Sequence, residues 1–300
     1  MNENLPKRRL SLPAALLLLA ALVFIGFMLA SVALMVLQSL GLLNLESRTH
    51  LLWLTVGQDV LAFILPAVVL ARFLWQRPCA ALRLNVPPSW MALAAVVLMQ
   101  VIALPAMNWI VDWNAHVVLP TALESVLRPM EDAAALQTEL LLNVTNVWQM
   151  LAGVLVIGLV AALSEELLFR GAVQGTWMDY SGQRHVAVWG VAILFSAIHL
   201  QFYGFVPRML LGVWFGYLLL WTRSLWVPII AHFLNNTIVV VSSYIAACNG
   251  ADENIVDTIG LPALGQLPWV AMVSMVASIA LVVLASKYFS RKNDDDFSAL

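Results

Sequence analysis

Glu165 and Glu166 stand side by side in a largely apolar run, and Arg170 follows the second by four positions. On a helix Glu166 and Arg170 share a face with the acid N-terminal to the base, the better order for an ion pair. Glu165 points about 100° away and has no partner nearby in sequence. Further on, Phe195 and His199 recur at i, i+4, and so do His232 and Asn236, with Asn235 beside them. A free carboxylate can remove a proton from water, and an imidazole can assist. Imidazole and amide N–H groups can hold a developing oxyanion. Each group also has a plainer use: acids at the end of a span pair or snorkel, and His and Asn hydrogen-bond between membrane helices.

The surroundings make these residues conspicuous. The chain has 300 residues, 62% hydrophobic and 11% charged, with a mean hydropathy of +0.89, far beyond what one soluble core requires. Spanning the bilayer takes about 20 mostly apolar residues per helix, because in lipid each segment satisfies its own backbone. About eight such stretches occur, near 11–43, 51–71, 86–111, 146–169, 186–202, 206–222, 225–247 and 267–286. The expected fold is therefore all-α, a polytopic transmembrane bundle whose site lies between helices four, five and seven. It divides into an N-terminal part (1–144) with an interfacial helix and loop within 114–145, a core (145–247), and a final part (248–300) with an outer loop, a last span and a solvated tail.

A charged side chain deep in a membrane helix costs on the order of 2.5–3.5 kcal/mol even on a mild scale. That cost singles out Asp59 and Arg208 beside the residues above. Asp59 is expected to hydrogen-bond to a neighbouring helix. If spans four and five turn near 181–184, Glu165 lies about 17 residues before the turn and His199 about 16 after it, at similar depth. Full-length spans five to seven would put His199 and His232 at opposite ends. Spans five and six are therefore expected to be short and partly re-entrant, with Gln201–Pro207 turning inside the protein and Arg208 at membrane depth. Gly212 and Gly216 would let span six approach a neighbour closely.

Threading these spans leaves twelve of the fifteen Lys and Arg residues on one side, with Arg48, Arg128 and Arg208 on the other. The positive-inside rule then places both termini in the cytoplasm, in the cytoplasmic membrane for a bacterial protein. The uncharged run 10–45 exceeds the apolar core of a secretory signal. Cys79 and Cys248 form neither a metal spacing nor a disulfide framework. No basic cluster points to nucleic acid.

In order, Glu165-Glu166-x-x-x-Arg170, Phe195-x-x-x-His199 and His232-x-x-x-Asn236 resemble the three-motif signature of the CPBP family of intramembrane proteases, which includes the CAAX prenyl endopeptidases and the Abi proteins. The resemblance covers about 145–245. It implies an endopeptidase acting on a membrane-bound peptide or protein within the lipid bilayer, CAAX-like or other. Glu165 and His199 would activate water, His232 and Asn236 would hold the oxyanion, and Glu166, Arg170 and Phe195 would support them. Members are often termed metalloproteases, and Glu165, His199 and His232 could ligate zinc. A glutamate mechanism uses the same residues, so no obligatory metal is expected. There is no H-E-x-x-H, and the G-x-S-x-G elbow is absent. Two other classes use the same polar cluster: a non-catalytic scaffold or immunity-type protein, and an ion-coupled transporter using Asp59, Glu165 and Glu166. Lack of internal repeats disfavours the transporter.

Overall fold

The structure, a computed structural model, describes residues 10–251, 254–263 and 266–298. Asp252, Glu253 and the basic residues 7–9 lie outside the described residues. The long helices are α1 (Leu12–Ser39), α2 (Arg48–Leu74), α3 (Trp90–Ala115), α4 (Thr121–Leu142), α5 (Val147–Ser181), α6 (Arg184–Ala197), α7 (Phe202–Thr222), α8 (Trp226–Asn249) and α9 (Trp269–Ser298). Seven of them are long and apolar enough to cross a membrane. The 14-residue α6 is apolar but shorter, about 21 Å at 1.5 Å per residue. These eight correspond to the eight stretches expected from sequence.

Local chemistry sets the ends. The side chains of Ser11, Ser89 and Asn146 each accept a first-turn backbone N–H, at the starts of α1, α3 and α5. Such capping satisfies donors a helix start leaves free. Gly182 (φ +69°) and Gly250 (φ +62°) end α5 and α8, in left-handed backbone that glycine adopts without a side-chain clash.

The burial pattern belongs to a lipid-facing bundle. Large apolar residues such as Phe24, Val101, Leu155 and Val273 are exposed, whereas Glu166, Arg170 and Gln174 are fully buried. Helices approach closely where side chains are small. A Cβ on Gly26 of α1 would sit 2.2 Å from the Leu61 carbonyl oxygen of α2. That crossing falls on a π-helical turn, Asp59–Ile64. Two more π-helical turns, Val154–Val160 and Leu167–Gln174, bracket the two glutamates in α5. Such turns are rare and recur at functional sites.

Three boundaries differ from the sequence reading. α5 runs to Ser181, where a loop was expected after 169. Arg170 and Gln174 find partners inside the bundle, so their polarity does not end the helix. α4 spans 22 residues with Pro129 inside it and no buried residue, more regular than the expected helix and loop. Residues 291–296, where a tail was expected, have helical backbone continuous with α9, which leaves their expected solvation untouched.

Candidate active site

The site begins on α5. Glu166 Oε1 accepts from Arg170 Nη1 and from His232 Nδ1, each at 2.9 Å. Both members of the ion pair are fully buried. The second guanidinium nitrogen of Arg170 donates to the Gly212 carbonyl at 3.1 Å, and one turn further Gln174 donates to the Gly216 carbonyl at 2.9 Å. Glu166, Arg170 and Gln174 thus form a polar stripe against α7. The glycines make it possible: a Cβ at 216 would lie 2.9 Å from Gln174 Oε1, and one at 212 would lie 3.1 Å from Ala192. Gln174 escaped the sequence reading, although its spacing of four from Arg170 carried the signal.

Glu165 faces the other way, as its helical angle requires. Its side chain keeps 16% exposure, and Oε2 lies 3.9 Å from His232 Nε2, too far for a direct hydrogen bond. His199 lies within electrostatic range of Glu165 and of His232. Phe195 separates the imidazoles, its ring 5.1 Å from His199 and 6.1 Å from His232. The Arg170 guanidinium sits 4.5 Å over that Phe195 ring. Phe215 stacks on His232 at 5.1 Å.

Residues 146–238 match the family model described as type II CAAX prenyl endopeptidase, Rce1-like. Over this segment the chain is similar to the CAAX protease family.

Among curated proteins, the chain is similar to the uncharacterized protein YpbD of Bacillus subtilis strain 168, at 28% identity over 85 residues. That match takes in 27% of this chain and 40% of YpbD. No solved structure matches.

Hydrogen bonds assign the tautomers within this segment. The Phe195 carbonyl can only accept, so the 2.7 Å contact makes His199 Nδ1 a donor and leaves Nε2 as a lone pair in the neutral ring. Glu166 does the same for His232, so a neutral His232 turns a lone pair toward the Glu165 carboxylate. The two become complementary when one of them carries an extra proton.

Asn236 takes a different direction. Its amide donates to the Ile157 carbonyl at 2.9 Å, inside a π-helical turn of α5, and its oxygen faces Asn235 Nδ2 at 3.4 Å. Asn235 in turn accepts from Gln100 of α3 at 3.1 Å. One Asn236 N–H is therefore occupied, leaving the second for a ligand. Asp59 is 3% exposed. It lies near Ser164, the residue before Glu165, and within electrostatic range of Glu165, at the edge of the site.

Histidines that ligate zinc commonly donate their other ring nitrogen to a carboxylate or carbonyl, as both do here. Yet among the described residues no three His, Cys, Asp or Glu side chains converge closely enough to hold an ion. Cys79 and Cys248 are free and exposed.

The turn after His199 is held on two sides. Asn114 of α3 donates to the Phe202 carbonyl at 3.2 Å and accepts from Val206 N at 2.8 Å. From α4, Glu131 accepts the Tyr203 amide at 3.2 Å, Glu124 accepts the Tyr203 hydroxyl, and Arg128 lies 3.8 Å over its ring. Within the turn Tyr203 and Pro207 are buried and the other residues of 201–207 are half-buried. Asn114 was not singled out from sequence, where an Asn near a span end carries no distinguishing signal.

Proposed function

We propose that the protein hydrolyses a peptide bond of a membrane-bound substrate, with Glu165 as general base. The observation that carries this reading is the division of labour between adjacent glutamates. Glu166 is fully buried and occupied by Arg170 and His232, whereas Glu165 is partly uncovered between two histidines whose Nδ1 atoms are engaged. Glu165 takes a proton from water, and the hydroxide attacks the scissile carbonyl carbon. The oxyanion is met by His232 Nε2–H, whose imidazolium Glu166 stabilises, and by the free N–H of Asn236. Such donors contribute about 3–4 kcal/mol each where measured. The proton then passes through Glu165 or His199 to the leaving amine as the C–N bond breaks.

The family description suggests a CAAX prenyl endopeptidase, so prenylated and unprenylated membrane peptides are both candidate substrates. The test is cleavage of fluorogenic peptides of both kinds by purified wild type and Glu165→Gln, with and without chelator. Activity that vanishes in Glu165→Gln and survives chelation supports the reading. A mutant that cleaves as well as wild type overturns Glu165 as the general base.

A further inference from the structure

Asn236 owes its orientation to a chain of amides that starts on a helix outside the matched segment. Gln100 sits half-buried in the apolar run of α3, between Met99 and Val101, where a side-chain amide is driven to find a partner on another helix. Its Nε2 donates to Asn235 Oδ1 at 3.1 Å. Asn235 Nδ2 donates to Asn236 Oδ1 at 3.4 Å, the longest link, and Asn236 Nδ2 donates to the Ile157 carbonyl at 2.9 Å. One line of donors, all running the same way, thus joins α3, α8 and α5.

The direction has a cause at each end. The Ile157 carbonyl can only accept, so Asn236 turns its NH2 group there and its oxygen toward Asn235. Asn235 then needs its own NH2 on that side, which leaves its oxygen facing α3, and Gln100 supplies the donor that this oxygen requires. Without Gln100, Asn235 is free to flip and bring two amide oxygens together. Asn236 could escape that repulsion only by turning its own oxygen onto the Ile157 carbonyl, which would take its NH2 group out of place. Residues 235 and 236 lie about 100° apart round α8, so one amide reaches α3 and the other α5. Each amide that accepts a hydrogen bond also becomes a better donor, so the chain polarises the N–H that Asn236 keeps free.

We infer that Gln100 is a positioning residue of the site: acting through Asn235, it holds the Asn236 amide so that the remaining N–H meets the oxyanion. This rests on the hydrolytic reading of the same site, in which Asn236 is an oxyanion donor.

The test is a double-mutant cycle on the full chain in nanodiscs. It is read by cleavage of a fluorogenic apolar peptide and by binding of its phosphinate analogue, whose tetrahedral anion mimics the oxyanion. Gln100→Met keeps the bulk of the side chain and removes the donor. It should lower kcat about three- to tenfold with KM unchanged, the loss expected of one hydrogen bond felt only in the transition state. Phosphinate binding should weaken by a similar factor, and binding of the parent peptide should not change. Asn235→Leu cuts the chain one link later and should give the same pattern even if Gln100→Met does not fold. In an Asn236→Ala background the effect of Gln100→Met should vanish, as it must when one residue acts through the other. Equal losses in the two backgrounds mark a merely structural residue and overturn the inference. So does a Gln100→Met protein that cleaves and binds phosphinate as well as wild type; either result leaves the hydrolytic reading standing. An Asn236→Ala protein as active as wild type removes Asn236 from the oxyanion and the inference with it. A wild type that neither cleaves nor prefers the phosphinate to the parent peptide overturns both readings.

Discussion

Glu166 joins two distant parts of the chain through one oxygen atom, which accepts from Arg170 Nη1 and from His232 Nδ1, 66 positions further on, at 2.9 Å each. Removing one partner of a buried ion pair strands the other charge, at a cost of about 3–5 kcal/mol. Arg170→Met should therefore lower thermal stability in detergent markedly, and Glu166→Gln should do so less, since an amide oxygen still accepts from both donors. Both should lower cleavage, because His232 loses its orientation. A thermal-shift series on the purified proteins checks the order.

Glu165→Gln should behave differently. The residue is partly exposed and makes no direct hydrogen bond, its Oε2 lying 3.9 Å from His232 Nε2, so stability should change by less than about 1 kcal/mol. Activity should fall by at least about a hundredfold, the loss typical of a missing general base. Measuring melting temperature and turnover on the same preparation separates the two glutamates.

The seam between α5 and α7 depends on having no side chain at 216. Gly216→Ala would place a Cβ 2.9 Å from both Gln174 Oε1 and Val188 Cγ1, so overpacking should cost about 1–3 kcal/mol. The Gln174 bond to the Gly216 carbonyl should weaken with it. Gly57, whose Cβ would meet nothing within 4 Å, should tolerate the same change far better in a parallel unfolding measurement.

Docking of α4 on the turn after His199 should depend on pH. The Tyr203 hydroxyl and then Arg128 hold Glu124 below the ordinary carboxylate value of 4.5. A depressed acid contributes fully above its free value, and the contribution is lost as pH falls through the lower docked value. The contact should thus be constant from neutrality to about pH 4.5 and weaken below it. An environment-sensitive dye on Ser125→Cys, with Cys79 and Cys248 replaced by Ala, reads the change. In a Glu124→Gln background that transition should disappear.

The sequence by itself determined the class of protein and the neighbourhood of the site. About eight apolar stretches can only be membrane helices, because backbone polarity has no other solution in lipid. Spacing of four placed Glu166 with Arg170 and turned Glu165 away, since both follow from helical geometry alone. The conflict in depth between His199 and His232 foretold the short α6, but α7, expected to be short and partly re-entrant as well, runs 21 residues and is long enough to cross a membrane. What the tertiary structure decided was pairing across distance. That Glu166 takes His232, that Asn236 spends an N–H on Ile157, and that Asp59 meets Ser164 all depend on which helix faces which. α5 could be expected to end near Arg170, because a charge in an apolar run ordinarily marks the edge of a membrane. Only the folded bundle, with two glycine carbonyls of α7 within reach, lets that charge and Gln174 stay inside.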